Sequence, residues 1–341
     1  MLKKILAVGL AIGLSASNLF AGSILINGAG ATFPYPIYSK WFDVYQAIDS
    51  TVKFNYQSIG SGGGVKQISA QTVDFGASDG AMSSEEMKAA EGGQIFHIPM
   101  VLGSVVVSYN IEGVSKGLKL TPEVLAGIFL GNIKTWSDPK LAKLNPDLQL
   151  SAVPIIVMHR SDGSGTTNIF SDYLSKISPE WKAKVGVGKS LGWPVGLGGK
   201  GNEGVAGLVK QTPGAIGYVE LAYAENNKLP YAFVQNKSGN FIEPSLQATS
   251  AAAAGAIKNM PKDFRVSITN SDGADAYPIV GFTWILVYKH QKDSVKGKAL
   301  IGFLKWAITD GQKYATDLLY GALPQELVPM IQEKLNQISV G

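Results

Sequence analysis

The segment RSDGSGT, residues 160–166, carries side chains well suited to binding a small anion. Arg160 is one of only two arginines in a chain that otherwise takes its basic charge from lysine, and Asp162 follows two residues later. A guanidinium presents a planar fork of donors to an oxyanion, and a neighbouring carboxylate can hold that fork in place. The alternative is that Arg160 and Asp162 form an ordinary surface ion pair, which would be common and weak.

The residues that follow would complete such a site. PIIVMHR predicts a strand ending at Arg160, and SGTTNIF predicts a helix with Ser164 at its N-cap. Ser164, Gly165 and Thr166 would then offer hydroxyl and backbone donors where a helix start carries partial positive charge. The segment therefore predicts an oxyanion site with one fixed cation, several neutral donors and an acid that orients the cation.

Four small-residue loops share this composition, and each follows a predicted strand and precedes a predicted helix. They are GAGATFP (28–34), SIGSGGG (58–64), SDGAMSS (78–84) and RSDGSGTT (160–167). Glycine at a single strand–helix turn usually reflects turn chemistry alone. Because open α/β sheets bind ligands at the carboxyl ends of their strands, four such loops together predict one binding cleft.

Asp79 ends the strand-like segment VDFGASD and brings a carboxylate to this anion site. A carboxylate repels an anion unless the anion carries a proton that the carboxylate can accept. Hydrogen phosphate has such a P–OH donor at neutral pH, whereas sulfate has none. A site built around one hydrogen bond rejects the analogue that lacks it, so Asp79 favours phosphate over sulfate. The alternative is that Asp79 caps the next turn.

The elements that must position these loops alternate between strand and helix patterns, which predicts an α/β fold with a largely parallel sheet. The predicted strands are 23–27, 51–58, 73–78, 104–110, 154–160, 215–220 and 278–289. The predicted helices are 34–48, 65–72, 121–131 and 164–177, with three helical segments closing the chain at 296–311, 312–321 and 324–338. Ser83 and Glu86 predict a capping box that opens another helix. A second α/β unit is predicted to begin after IFHIPM (95–100).

The first 21 residues have a basic start, a short apolar run and small residues near Ala21, which predicts a secretory signal peptide. The alternative, a membrane anchor, is disfavoured because the apolar run is short for a bilayer. Removing these residues lowers the net charge from +4 to +2, which argues against a nucleic-acid partner. The chain has no cysteine, so an exported form would depend on its core rather than on disulfides.

Other function classes fit the sequence less well. A serine hydrolase or phosphatase needs a histidine base, and none of His97, His159 and His290 stands in a recognisable catalytic pattern. No His, Cys or carboxylate cluster has the spacing of metal ligands, so neither a metal nor a cofactor is predicted. A structural or adhesive surface protein would leave the four loops without a role. Sulfate or molybdate is the main rival ligand, and Asp79 argues against it.

Six segments together resemble the periplasmic phosphate-binding proteins of high-affinity phosphate ABC transporters. They occur in the family's order and are GAGATFPYPIYSKW, IGSGGGVKQI, TVDFGASD, RSDGSGT, WPVGLGGKGNEGV and PGAIGYVELAYA. The resemblance implies a type II periplasmic binding protein fold, in which two α/β lobes joined by a hinge close on the ligand. It also implies a periplasmic monomer that hands inorganic phosphate to the permease subunits of an inner-membrane ABC transporter.

The resemblance further implies which residues contact phosphate. Thr32 and Phe33 would donate from the backbone, and Thr32 also from its hydroxyl. Ser61 would cap its helix and donate, and Asp79 would accept the phosphate proton. Arg160 would supply the charge, with Asp162 bracing it. The remaining donors would be those at the helix start, Ser164, Gly165 and Thr166. Gly62 departs from a close relative, which has a second serine there.

The implied lobes divide the chain after the signal peptide at 1–21. Lobe I would comprise residues 22–98 and 279–341, and lobe II would comprise residues 99–278. In this arrangement the loops at 28–34, 58–64 and 78–84 belong to lobe I, and loop 160–167 belongs to lobe II. Closure of the lobes would bring both sets of loops onto one ligand.

Overall fold

Strands and helices alternate through the part of the chain that the computed structural model describes, residues 23–257 and 259–341. The predicted signal peptide lies outside the described residues. From the start the elements are β1 (Ile24–Gly30), α1 (Tyr35–Ile48), β2 (Val52–Ser58), α2 (Ser61–Ser69), β3 (Phe75–Ser78), α3 (Ser84–Lys88), β4 (Ile95–Tyr109), β5 (Lys119–Leu120), α4 (Pro122–Phe129), α5 (Pro139–Leu144), β6 (Ile156–Arg160), α6 (Gly165–Ile177) and α7 (Pro179–Lys184). They continue with β7 (Leu197–Gly199), α8 (Gly201–Gln211), β8 (Ala215–Glu220), α9 (Leu221–Asn226), β9 (Phe233–Gln235), β10 (Phe241–Ile242), α10 (Leu246–Ile257), β11 (Val280–Tyr288), β12 (His290–Gln291), α11 (Ser294–Ala307), α12 (Leu327–Asn336) and β13 (Ser339–Val340).

Eight strands form one mixed sheet in the order β2-β1-β3-β11-β4-β8-β6-β7. The three strands at one end, β2, β1 and β3, are mutually parallel, and so are β8, β6 and β7 at the other end. The two central strands, β4 and β11, run antiparallel to each other and to their outer neighbours. The sheet therefore consists of two parallel halves joined by two long antiparallel strands.

β4 is one continuous strand of 15 residues, fully buried along its length, where the sequence suggested a break between two α/β units. Its first part, residues 95–104, pairs with β11, and its last part, residues 105–109, pairs with β8. Gly103 allows the strand to pass close to the ring of Phe33, which would collide with any side chain at that position. β4 thus connects the two halves of the sheet without leaving it.

The register of the β4–β11 ladder shifts between Thr283, which pairs with Val101, and Trp284, which pairs with Pro99, so Met100 is an extra residue on β4. Proline has no amide hydrogen to donate, so irregular points in a ladder are where a sheet tolerates it. A bulge also changes the direction in which nearby side chains point. Thr283 therefore lies at a position whose orientation depends on the pairing of two distant segments.

Several helix starts follow the predicted local chemistry. Ser83 accepts a hydrogen bond from the backbone of Glu86, and the Glu86 carboxylate accepts one from the backbone of Ser83, so the capping box is present. Ser164 caps α6 by accepting from the backbone of Thr167. The segment predicted as the second C-terminal helix instead forms two short 3-10 helices, Asp310–Tyr314 and Thr316–Leu318.

Helix α11, the first of the helices near the C-terminus, packs against the first half of the sheet. Phe303, which is fully buried, lies 4.5 Å from the ring of Phe54 and 5.4 Å from that of Phe42, measured between ring centroids. The indole of Trp41 also donates to the carbonyl of Gly311 at 2.7 Å. The chain therefore returns to the half of the sheet in which it began, a point that the sequence left open.

This packing predicts that Phe303→Ala will lower the free energy of unfolding by about 3–5 kcal/mol, because it leaves a cavity among buried aromatic rings. Val295→Ala on the same helix is a matched control, since Val295 is 57% exposed, and it should change stability by less than about 0.5 kcal/mol. Urea unfolding of both variants measures the difference. Equal, small losses in both would contradict the proposed packing of α11.

Candidate functional site

The four predicted loops converge at the edge of the sheet where β1, β2, β3 and β6 end. The residues that they bring together are those that the sequence singled out: Thr32, Phe33, Ser61, Asp79, Arg160, Asp162, Ser164, Gly165 and Thr166. All of them except Asp162 and Gly165 are at most 4% exposed; Gly165 is also buried, and Asp162 is partly buried. The edge is a switch point between strands that lead into different helices, which is where α/β sheets hold ligands.

Arg160 is the last residue of β6, and its guanidinium is almost completely buried. Its Nε and Nη2 atoms donate to the two carboxylate oxygens of Asp162 at 2.7 and 2.5 Å, and its Nη1 donates to the hydroxyl of Thr166 at 3.3 Å. Asp162 also accepts from the backbone of Gly201 at 3.0 Å. Burial rules out the alternative of an ordinary surface pair and leaves a fixed, oriented cation.

The ion pair also determines the charge of Asp162. Partial burial by itself raises the pKa of this carboxyl, but the hydrogen bonds and the positive charge of Arg160 outweigh that effect, and the pKa lies below its ordinary value. Asp162 is therefore ionised at neutral pH. Asp162 therefore occupies the edge of the guanidinium that carries Nε and Nη2, and this holds the Nη1 group in its orientation toward Thr166.

Asp79 follows β3 directly and is 2% exposed. One carboxylate oxygen accepts from the hydroxyl of Thr283 at 2.8 Å, and the other lies 3.3 Å from the hydroxyl of Ser61. These contacts come from α2 and β11, so Asp79 does not cap the turn that follows it. Thr283 was missed by the sequence analysis; its signal was a lone hydroxyl inside the apolar strand PIVGFTWILVYK.

Burial raises the pKa of Asp79 from 3.8 to about 7, although the hydrogen bond from Thr283 and the charge of Arg160 act in the opposite direction. Near neutral pH this carboxyl therefore gains and loses its proton easily. A carboxyl of this kind can accept a hydrogen bond from a ligand that carries a proton, or it can share a proton with that ligand.

Ser61 does not cap its helix, contrary to what the family resemblance implied. Gly60 occupies the N-cap position with φ +88°, and Ser61 is the first residue of α2. A side chain at position 60 would collide with the carboxylate of Asp162, so glycine lets the start of the helix approach that residue closely. The Ser61 hydroxyl instead accepts from the backbone amides of Asp79 and Gly165 at 3.2 and 3.0 Å. The amide of Gly165, which the resemblance gave as a donor to the ligand, thus donates to Ser61 in this structure.

Two glycines allow α2 and α6 to meet at their first turns. A Cβ atom at Gly165 would lie 2.5 Å from the Ser61 hydroxyl and 2.6 Å from the backbone nitrogen of Asp79. The backbone of Gly62 donates to the carbonyl of Gly163 at 2.8 Å, and a Cβ at Gly62 would lie 3.0 Å from the Cα of Gly163. The glycine at position 62, where a relative has serine, therefore forms part of this close contact.

Backbone amides supply further donors at the site. Within the described residues, no group accepts a hydrogen bond from the amides of Thr32, Phe33, Ser61 or Thr166. Those of Ser61 and Thr166 belong to the first turns of α2 and α6, where amides have no partner within the helix. Together with Arg160 they make the arrangement suited to an oxyanion stripped of water.

The carbonyl groups beside two of these amides are held in place. The hydroxyl of Tyr223 donates to the carbonyl of Thr32 at 2.6 Å, and that of Tyr320 donates to the carbonyl of Phe33 at 2.6 Å. These bonds fix the turn after β1 from two directions. Neither tyrosine was given a site role from the sequence: Tyr223 lies in the segment PGAIGYVELAYA and belongs to α9, and Tyr320 follows the second 3-10 helix.

The three histidines lie in other surroundings. His97 is buried and its Nε2 accepts from the backbone of Met82 at 3.0 Å. His159 stacks on Trp193 with ring centroids 4.7 Å apart, and His290 contacts Ser339. Among the described residues, no three His, Cys, Asp or Glu side chains are placed to hold a metal ion.

Comparison with known proteins gives a consistent result. A family profile described as the PBP superfamily domain matches residues 16–311. The phosphate-binding protein PstS of Xylella fastidiosa is 49% identical over 311 residues, covering 91% of this chain and 84% of that protein. PstS of Pasteurella multocida is 47% identical over 327 residues, covering 96% and 94%.

A solved structure shows the same fold at lower identity. It is a high-affinity periplasmic phosphate-binding protein, PfluDING, determined with bound phosphate, with a TM-score of 0.73 and 22% identity over 91% of this chain and 93% of that one. The prediction of an α/β, type II periplasmic binding protein fold is confirmed.

The raised pKa of Asp79 predicts a pH-dependent stability of the ligand-free protein. Because the folded state holds this proton more tightly, the stabilisation is complete below about pH 4 and is lost as the pH rises through about 7. Asp79→Asn cannot ionise, so its stability relative to wild type should increase across that range, by up to about 4 kcal/mol. Urea unfolding at several pH values measures this, with the exposed Asp275→Asn as the control. A constant difference between wild type and Asp79→Asn would contradict the assignment.

Proposed function

Because the chain belongs to the PBP superfamily and, within it, to the PstS phosphate-binding proteins, we propose that it captures inorganic phosphate in the periplasm and delivers it to an ABC-type permease for import. The observation that carries this proposal is that one buried site contains both Arg160, which is held by Asp162, and Asp79, together with several neutral donors. The first supplies charge for an oxyanion, and the second selects an oxyanion that carries a proton.

Arg160 is the fixed positive charge in this mechanism. Its guanidinium is already oriented by Asp162, so binding does not have to order a flexible cation. The ligand-facing donors are the hydroxyls of Thr32, Ser164 and Thr166 and the amides described above. These groups are buried, and each lies in the first turn of a helix or beside it. A dehydrated anion would therefore exchange its water shell for hydrogen bonds that are already in place.

Asp79 distinguishes protonated from unprotonated oxyanions. Hydrogen phosphate can donate its P–OH hydrogen to the Asp79 carboxylate, and a protonated Asp79 can in turn donate to a phosphate oxygen. Either arrangement places one proton between the two groups, and the near-neutral pKa of Asp79 makes both accessible. Sulfate carries no proton at this pH, so it would either face an ionised carboxylate, which repels it, or bind only when Asp79 itself has taken up a proton.

Lobe closure is the proposed mode of capture. We assign lobe I to residues 22–98 and 279–341 and lobe II to residues 99–278. The first turns of α2 and α6 then come from opposite lobes, and Gly62–Gly163 and Ser61–Gly165 are contacts across the cleft. These contacts surround the candidate ligand groups, so bringing the lobes together would exclude water from them.

Two cations of the proposed lobe II also reach the loop after Asp79. Lys189 donates to the Glu86 carboxylate at 2.8 Å and to the carbonyl of Ala81 at 3.3 Å. Arg265, the other arginine, donates to the carbonyl of Met82 at 2.9 Å. These bonds lie beside the site rather than in it, and they would stabilise the closed arrangement.

No chemical change of phosphate is part of this function. The prediction that the chain is not an enzyme is confirmed, since its curated relatives are phosphate-binding proteins. Ser61 is occupied by Asp79 and Gly165, and Ser164 caps α6, so neither hydroxyl is paired with a histidine as a nucleophile would be.

We also propose where the protein works and which partner receives its ligand. Phosphate held in a closed cleft must be released to a membrane partner, and an inner-membrane permease of an ABC transporter would receive it. In the described part of the chain, no helix has the length and apolar character needed to cross a bilayer. We assign the cleaved signal peptide to residues 1–21 and the working form to a monomer.

Isothermal titration of the mature protein, stripped of bound anion by mild denaturation and refolding, tests the ligand. Wild type should bind one phosphate tightly and show no heat with sulfate. Arg160→Ala should weaken phosphate binding by ~100-fold or more, because it removes the charge and leaves Asp162 buried without its partner. Arg265→Ala is the matched control and should cost less than about tenfold, since its hydrogen bond lies outside the ligand groups. Unchanged affinity in Arg160→Ala would refute the site.

The same titration tests the role of Asp79. Asp79→Asn replaces a proton acceptor with a side chain that offers both a donor and an acceptor, so the preference for phosphate over sulfate should shrink by at least about tenfold. Sulfate binding by the wild type, or full selectivity in Asp79→Asn, would remove the selective role assigned to this residue.

A glycine substitution tests closure. A methyl group at Gly165 would meet Asp79 and Ser61 across the cleft, so Gly165→Ala should leave the ligand-free protein folded but weaken phosphate binding by at least ~10-fold. Gly207→Ala in α8 is the matched control, because no atom lies within 4 Å of its added Cβ. Thermal unfolding without phosphate, followed by titration, separates the two effects. Wild-type affinity in Gly165→Ala would show that phosphate binding does not require the close approach of Gly165 to Asp79 and Ser61.

A further inference from the structure

The first turn of α8 lies directly behind two of the proposed ligand residues. Asn202 is fully buried there, and its side-chain nitrogen donates to the hydroxyl oxygens of Thr32 at 2.8 Å and of Thr166 at 3.1 Å. Its backbone nitrogen donates to Thr32 as well, at 3.2 Å. Gly201 precedes it with φ +72°, a conformation that favours glycine and sets the direction in which the helix begins.

The orientation of the Asn202 amide follows from its third partner. The side-chain oxygen of Asn202 accepts from the backbone amide of Glu220 at 2.9 Å. A backbone amide can only donate, so the atom facing Glu220 must be the oxygen. The amide nitrogen, with its two hydrogens, therefore faces the two threonines. Both hydrogens are used, one for each threonine.

This arrangement leaves each threonine hydroxyl a single role. A hydroxyl oxygen has two acceptor positions and one hydrogen. The oxygen of Thr32 accepts from the backbone and side-chain nitrogens of Asn202, which fills both positions. The oxygen of Thr166 accepts from Asn202 and from Arg160, which does the same. Each hydroxyl can then only donate its hydrogen.

We propose that Asn202 is a positioning residue that makes the hydroxyls of Thr32 and Thr166 obligatory donors toward the bound anion. The proposal rests on the function proposed above. It divides the site into two parts: a face of groups that can only donate, and Asp79, which can accept. An oxyanion with a single proton matches that division when its proton faces Asp79 and its bare oxygens face the threonines.

Asparagine suits position 202 better than the chemically similar residues aspartate and serine. Aspartate has almost the same shape but no N–H groups, so it would accept from both threonines and turn their hydrogens away from the ligand. It would also add a negative charge beside an anion site. Serine would offer one hydrogen in place of two. Asn202 further links Thr32, in the proposed lobe I, to Thr166, in the proposed lobe II.

A mutant cycle tests whether Asn202 acts through the two threonines. Phosphate titrations are made on wild type, Asn202→Ala, Thr32→Val with Thr166→Val, and the triple variant. Asn202→Ala should weaken phosphate binding by ~10- to 100-fold. In the threonine-free background the same change should cost less than about threefold, because the hydroxyls that it orients are absent. Losses that simply multiply would overturn the inference.

Controls separate positioning from loss of structure. Asn145→Ala removes a similar buried asparagine, which bonds to Lys119 and Leu141 away from the site, and it should lower stability without lowering phosphate affinity. If Asn202→Ala does not fold, Asn202→Asp takes its place in the cycle, and in the wild-type background it should weaken binding by at least as much, ~10-fold or more. Wild-type affinity in a folded Asn202→Asp would overturn the inference.

The wild-type titration separates a failure of the proposed function from a failure of the role proposed for Asn202. If wild type does not bind phosphate, the proposed function is wrong and the role of Asn202 is refuted with it. If wild type binds phosphate and the cycle is additive, the function stands and only the role of Asn202 is overturned.

Discussion

A positive charge held out of water is the constraint on which the rest of the site depends. Burying a guanidinium is costly unless a counter-ion and hydrogen bonds replace its solvation. Arg160 receives both from Asp162, which is itself tied to the start of α8 through Gly201. The cation is therefore rigid before any ligand arrives. Its remaining positive potential is directed toward Thr166 and the first turn of α6.

Asp79 is buried in the same site, but its side chain is a carboxyl, which is negatively charged when ionised. Burial favours its neutral form, and the positive charge nearby favours its ionised form, so the group is balanced near neutral pH. A lone cation would attract any oxyanion. A cation combined with a carboxyl that needs one proton favours an oxyanion that brings that proton. The selectivity proposed for this site therefore depends on two ionisable groups with different surroundings rather than on the shape of a pocket.

The fold supplies this arrangement by close backbone approach. β11 pairs with β3 of the first half, and β4 pairs with both β11 and β8, so these two strands join the two parallel halves of the sheet. The helices after the parallel strands bring their first turns to a common point. Gly165 and Gly62 remove the side chains that would keep those turns apart. The same approach places Asn202 behind Thr32 and Thr166, so the hydroxyls proposed as donors contact a side chain that lies outside the proposed ligand contacts. Small residues thus matter here for the space that they leave.

The sequence alone determined the α/β class, the four loops and the residue types of an oxyanion site, because each of these depends on neighbours along the chain. Strand alternation, the Ser164 cap and the Arg160–Asp162 spacing are local, and the structure contains all of them. The unbroken β4, the first-turn place of Ser61 and the partners of Asp79 were decided only by the tertiary structure. Thr283 contacts Asp79 across 204 positions of sequence, and Asn202 contacts Thr32 across 170. Such contacts depend on the register between strands and on how closely backbones approach, which follow from packing the whole chain at once and leave no local pattern in the sequence.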